Sequence, residues 1–162
     1  MLRLKGMRGF TLVELMITLA LLAIVATIAV PNFMQFIRNN QVQAKADEVK
    51  SFLQYARGQA VTSRKSYEVI TGADTWSIGP VGGTAERTLE LNSAQAAASS
   101  SVAKVTFMPN GSVSAAAEMT VCRDQDASNG YFIEVQRSGM IRMQPRGVDV
   151  PKKCAVKKDV KP

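Results

Sequence analysis

The chain of 162 residues contains no histidine. That removes the commonest general base, the usual ligand of catalytic zinc and both the Ser-His and Cys-His nucleophile pairs, so most familiar enzyme mechanisms start at a disadvantage. Cysteine is scarce: Cys122 and Cys154, with 31 residues between them, are the whole supply. Two sulfurs do not fill a four-ligand zinc site, and this spacing matches no C-x-x-C redox pair. A single disulfide, which needs an oxidising compartment, and two unpaired thiols are the readings left. Acid is short as well, with 13 Asp and Glu against 20 Lys and Arg, a formal charge of +7 and a pI near 9.7. Such a surplus attracts nucleic acid, a lipid surface or an acidic partner without choosing among them. Asp124 and Asp126 could be imagined as a metal pair, but without further ligands an Asp-x-Asp in a polar loop is a turn, and no metal, cofactor or catalytic group is expected.

What the chain does have is concentrated at its start. Residues 1–9 carry Arg3, Lys5 and Arg8 with no acid, and residues 10–30 then hold a single charge, Glu14. As a helix this run spans roughly 31 Å, the thickness of a bilayer's hydrocarbon core. The basic flank places the start of the chain in the cytoplasm and the remainder across the membrane, which agrees with a disulfide. Gly9 lies before the apolar run, so cutting there removes the leader and keeps the anchor, unlike a secretory signal.

Glu14 needs explaining, because a carboxylate in a spanning helix costs about 2.5–3.5 kcal/mol on insertion scales. A cut after Gly9 would free an ammonium on Phe10, one helical turn from Glu14 on the same face. The pair could close within one chain or between neighbouring subunits, the second arrangement setting an axial stagger. The alternative is a glutamate near a helix end that snorkels to the headgroups.

Gly9-Phe10-Thr11-Leu12-Val13-Glu14, the apolar helix after it and Pro31 resemble the class III signal and N-terminal helix of type IV pilins and pseudopilins. The resemblance implies cleavage after Gly9 by a prepilin peptidase that also methylates Phe10. It further implies storage in the bacterial inner membrane with the C-terminal domain periplasmic, contact with an assembly platform, and incorporation into a filament of major and minor pilins through Glu14. It also implies the α+β pilin fold, a long N-terminal helix packed on an antiparallel sheet domain.

Pro31 predicts a kink or local opening. Beyond it Val42, Ala46, Val49, Leu53, Ala56 and Ala60 recur at spacings of four and three, one apolar stripe on a polar helix. Gly58 weakens the helix and suggests an end near Ser63. Residues 31–63 are therefore the amphipathic half of the helix, and 64–162 a β-rich domain with a basic tail. Short alternating segments at 67–71, 75–78, 87–91, 102–108, 119–123, 131–136 and 140–144 predict strands of an antiparallel sheet, with turn chemistry at 109–112 and 137–139. The Ala/Ser tract 93–101 predicts a mobile loop or weak edge. The stretch from Leu53 to Val61 and the closing hairpin at 131–144 resemble the FimT/FimU and GspH group of minor pilins and pseudopilins, although Gly58 and Gln59 stand where that pattern has Ser or Thr and then Glu.

A bond between Cys122 and Cys154 would enclose the final hairpin and add roughly 3–4 kcal/mol by loop entropy. After Gln136 come Arg137, Arg142, Arg146, Lys152, Lys153, Lys157, Lys158 and Lys161, against Asp149 and Asp159. This net +6 exceeds the +4 that remains on the whole chain once the leader is gone. Arg142, Arg146, Lys152, Lys153, Lys157 and Lys158 are the candidate DNA contacts. The other readings are a solvated end or a docking edge for the next subunit. The resemblance implies a Gly-Arg-x-Arg motif for DNA binding, and here Gly139-Met140-Ile141-Arg142 keeps one of its two arginines. Three functions follow: a minor pilin that primes or caps a type IV pilus, a DNA-capturing minor pilin, and a type II secretion pseudopilin.

Overall fold

The computed structural model describes residues 9–91, 96–123 and 126–145, without the side chains of 126–129. It contains one helix, α1 (Leu12–Ser63), and eight strands: β1 (Tyr67–Thr71), β2 (Thr75–Pro80), β3 (Arg87–Glu90), β4 (Ala97–Ser100), β5 (Lys104–Phe107), β6 (Ala117–Arg123), β7 (Asp126–Val135) and β8 (Ile141–Pro145). The chain divides into two units at Ile37 and Arg38.

In the first unit α1 is apolar and exposed all round, with Leu15, Leu19, Leu22, Val25 and Ile28 among its open side chains. The expected opening at Pro31 does not interrupt the helix. Exposure also runs past residue 30: Phe33, Met34 and Phe36 are open, so the unpartnered stretch extends several residues beyond the expected boundary.

In the second unit the helix acquires a buried side. Val42, Ala46, Val49, Leu53, Ala56 and Ala60 are all buried, as their spacing predicts, and Phe52 joins them. Arg64, at φ 55°, takes the left-handed conformation that ends helices, and Ser63 is the last helical residue. Gly58 is therefore not the terminator; it lies inside the last turns, and a Cβ there would meet nothing within 4 Å.

The strands form two four-stranded sheets instead of the single one expected, in the orders β3-β2-β1-β5 and β4-β6-β7-β8. All pairings are antiparallel. The chain changes sheet three times: between β3 and β4, from β4 to β5 through residues 101–103, and from β5 to β6 through residues 108–116, with Phe107 and Val113 forming an isolated bridge. The crossing from β4 to β5 explains why Val102 lies outside a strand although its neighbours pattern as one. The Ala/Ser tract supplies β4, an edge strand whose Ser99 hydroxyl meets the buried Thr120 hydroxyl at 2.8 Å. Trp76, Ile78, Val69, Val105 and Phe107 of one sheet and Met119, Val121 and Ile133 of the other join the helix stripe in one apolar cluster.

Two polar contacts tie α1 to opposite ends of this unit. Arg57 Nε donates to the Gly111 carbonyl at 3.0 Å, and Arg123 Nη1 donates to Gln41 Oε1 at 2.8 Å. Tyr67, buried, donates to Glu86; burial first and then that carboxylate push its hydroxyl pKa up. Any stabilisation from holding this phenol neutral is present below the ordinary tyrosine range and is lost as pH rises through the raised value.

The turns at 109–112 and 137–139 touch back to back. Gly111 and Gly139 both have positive φ, 80° and 78°, and a Cβ on Gly139 would fall well inside the Gly111 carbonyl oxygen. Gly58→Ala is accordingly expected to stabilise the chain by about 0.5–1 kcal/mol, and Gly139→Ala to destabilise it by about 1–3 kcal/mol. Thermal unfolding of the two variants beside the parent checks both signs.

Candidate functional site

The residues singled out at the N-terminus sit at the mouth of α1. Gly9, Phe10 and Thr11 are outside the helix, Leu12 is its first residue, and Phe10 is exposed. Thr11 Oγ1 accepts a hydrogen bond from the Glu14 backbone N–H at 3.2 Å, and the Thr11 carbonyl receives Leu15 N–H at the same distance. Thr11 is therefore the N-cap and Glu14 the third helical residue, the positions of a Ser/Thr-x-x-Glu capping box. A carboxylate there also faces the positive end of the helix dipole. Sequence reasoning missed Thr11, and its signal was in view, since Thr-Leu-Val-Glu immediately precedes the apolar run.

In the uncleaved chain Phe10 precedes the N-cap and shares no helical face with Glu14; the expected pairing belongs to the cleaved chain, where it would require α1 to extend by two residues. The Gly9–Phe10 bond lies in a non-helical, exposed segment.

Within the apolar stretch two hydroxyls could oppose insertion, and neither is left open. Thr18 Oγ1 donates to the Leu15 carbonyl at 2.8 Å and Thr27 Oγ1 to the Ile24 carbonyl at 2.7 Å. Their polarity is absorbed by the helix itself. By length and composition α1 can cross a membrane.

The other candidates are more dispersed. Pro31 lies far along the helix from Glu14. Cys122 is buried in β6, and its side chain is engaged, not free. Its expected partner, Cys154, lies outside the described residues. So do Arg146, Lys152, Lys153, Lys157 and Lys158. Arg142 is exposed on β8, an edge strand, directly across from Glu134 on β7. Among the described residues no cluster of Asp, Glu and Cys is arranged to hold a metal.

Replacing Thr11 with valine deletes the cap while keeping the shape. The expected loss is about 1 kcal/mol at the helix start, seen in micelles as roughly fivefold faster amide exchange at Glu14, with exchange near Val49 unchanged.

The comparisons with known proteins agree with this arrangement. The family model for type II transport protein GspH matches residues 45–139, and the prokaryotic N-terminal methylation motif matches residues 4–30. A fimbrial protein of Pseudomonas aeruginosa is 32% identical over 71 residues, 44% of this chain and 46% of the relative. The chain thus spans about half the length of the curated relatives it matches. Among solved structures, the type IV minor pilin FimU of Pseudomonas aeruginosa superposes with a TM-score of 0.64 at 24% identity, covering 74% of this chain and 98% of that one. The minor pseudopilin EpsH from the type 2 secretion system of Vibrio cholerae superposes with a TM-score of 0.54 at 9% identity, covering 65% and 97%. At these identities the two structures speak for the fold: a helix packed on antiparallel sheets, the type IV pilin fold. The GspH model spans more than half of the chain, which therefore belongs to the GspH family of pilins and pseudopilins, structural subunits of filaments and not enzymes.

Proposed function

We propose that this chain is a minor pilin that primes or caps the assembly of a type IV pilus. The observation that carries the reading is the junction at Thr11. An exposed, non-helical Gly9-Phe10 pair is followed at once by a capped helix whose apolar stretch, residues 12–30, has its one carboxylate in the first turn. A peptidase needs an extended substrate, and the helix begins just downstream of the bond it would cut. Prepilin peptidase removes residues 1–9 and methylates Phe10. The subunit waits in the inner membrane, N-terminus cytoplasmic and folded domain periplasmic, until the assembly platform feeds it into a filament with other minor and major pilins.

Glu14 then has two successive partners. Before cleavage the helix N-terminus stabilises its carboxylate; after cleavage the free amine at Phe10 of the same or an adjacent subunit takes over, and the adjacent choice fixes the stagger between subunits. Glu14→Gln keeps the capping geometry and removes the charge. Export holds Cys122 and Cys154 in an oxidising compartment, where their disulfide staples the chain's last residues to β6.

The pseudopilin reading draws on the GspH model and the EpsH-like fold. FimU gives the higher structural agreement over more of the chain, which favours the pilus. For DNA capture the surplus of lysine is the supporting feature, but Arg142 stands opposite a carboxylate and no aromatic residue follows Phe132 to stack bases.

Deleting the gene in its host is expected to reduce surface pili and twitching several-fold, with Glu14→Gln at the locus failing to restore them. Normal piliation in the deletion strain, or full rescue by the glutamine variant, would overturn the proposal. Intact-mass measurement of the exported protein is expected to show a leader-free, methylated chain two hydrogens lighter than its dithiol form.

A further inference from the structure

We infer that the end of the folded unit at which α1 stops is a docking surface for an acidic, apolar segment of a different filament subunit; this rests on the pilin reading above and names the surface such a contact would use. Three segments meet there. A Cβ on Gly111 would lie 3.2 Å from Val61 Cγ2 and 3.3 Å from Arg57 Nε, so the β5–β6 connection sits against the last turns of the helix. The Gly111 N–H donates to the Met108 carbonyl at 2.8 Å, and the Val113 N–H to the Arg137 carbonyl at 3.0 Å, which brings the β7–β8 turn alongside with Arg137 and Met140. Arg57 Nε is 3.0 Å from where a Cβ on Gly139 would stand, so one guanidinium borders both glycine turns.

This end gathers what the rest of the unit keeps apart. Among the described residues from Arg38 onward, five large apolar side chains are open: Val61, Ile70, Val81, Met108 and Met140. Val61, Met108 and Met140 belong to the three segments that meet here. Single exposed apolar residues are ordinary, whereas gathered ones mark contact surfaces, and methionine adapts its shape to a partner. The cations share the place, since Arg57, Arg64 and Arg137 are all exposed. Arg57 uses one N–H on the Gly111 carbonyl, while Arg64 and Arg137 make no side-chain hydrogen bond or ion pair among the described residues. Arg64 also stands where the carbonyl end of α1 favours a cation; Arg137 has no such reason. The nearest carboxylates are engaged elsewhere: Glu68 is bridged to Lys104 at 3.0 Å, Glu86 accepts from Tyr67 and Glu134 accepts from Gln136 Nε2. Glu118, across from Glu134 on β6, bridges to none of the three arginines.

The chemistry of the partner follows. Arginines without local partners are complementary to carboxylates, which a guanidinium grips with two parallel N–H groups. The valine and methionines among them gain only from a partner that covers them with hydrocarbon, which a protein segment provides and a phosphate backbone does not. None of the six side chains is aromatic, so no platform is present for stacking bases. A second copy of this chain carries the same positive surplus and is repelled.

The test is photocrosslinking in the host, with benzoylphenylalanine in place of Met140 or, in a second strain, of Val61, and in place of exposed Ile70 as the reference. Crosslinked peptides from cells and sheared pili are identified by mass spectrometry. The first two positions are expected to capture one segment of another pilin-like subunit, with at least two carboxylates beside apolar residues, and Ile70 is expected not to. Arg64→Glu combined with Arg137→Glu leaves the Arg57 bond to Gly111 in place and is expected to lower the yield about tenfold. Changing the captured carboxylates to lysine is expected to restore it, a rescue that a misfolded variant would not show. A chain that co-purifies with sheared pili but captures no such segment would overturn the inference and leave the pilin reading standing. A chain absent from pili would overturn both. Capture of a second copy, of lipid, of nucleic acid or of a segment without acid, or a yield indifferent to the charge reversals, would overturn the assignment of an acidic subunit.

Discussion

One carboxylate at the start of the exposed apolar stretch of α1 is the constraint on which the proposed use of this chain depends. Glu14 would be expensive at the middle of a spanning helix, and its cost is reduced by position: it occupies the third residue after a threonine cap, where unpaired N–H groups and the helix dipole favour negative charge. The stabilisation is partial, because a backbone dipole is worth less than a full opposite charge. A carboxylate that is tolerated but not neutralised can be held in a membrane and still prefer a state in which an ammonium stands beside it. That imbalance is what a subunit needs if it is to be stored first and assembled later.

The same helix solves a different problem in its second half. Past Gln41 its buried side is built largely from valine and alanine, with Phe52 and Leu53 as the large exceptions. Small side chains let the two sheets approach the helix closely, and the volume of the core is filled from the sheet side by Trp76, Phe107, Ile78 and Met119. The division of labour is visible at the polar contacts. Arg57 and Gln41, sixteen residues apart on α1, each reach a different end of the sheet region, so the helix acts as a ruler against which the turn and the free ends of β6 to β8 are set.

How far the sequence disclosed this depends on the physics of each element. The stripe from Val42 to Ala60 and the end of α1 were legible because helical periodicity is local. Strand β1 was legible to the residue, since Tyr67 to Thr71 alternates cleanly between buried and open positions. The split into two sheets was not. Turn residues such as Pro109 to Ser112 announce where a strand stops, but which strand it pairs with next depends on contacts distant in sequence, and Phe107 with Val113 forms only a single bridge before the chain leaves for β6. Phe52 was missed because it lies beside the regular 4-3 spacing, on a buried face wider than a single stripe. Thr11 carries no periodic signal, because a cap lies outside the helix and shows only as the Thr-x-x-Glu spacing.

The last hairpin shows most directly what the fold adds to the sequence. Read along the chain, residues 131–144 are two strand-like segments joined by a glycine turn, with nothing to say which way the second one runs across the domain. Antiparallel pairing removes that freedom. Because β7 and β8 turn at Gly139 beside Arg57, β8 has to run back toward Gln41, and the last described residue, Pro145, ends level with Tyr131 and Val121. A single hairpin therefore decides at which end of the second sheet β8 stops. It does so through a glycine that no residue with a side chain replaces without moving the Gly111 carbonyl. The direction of β8 is thus a consequence of backbone sterics at one turn, and any selection acting on where that strand ends acts through Gly139.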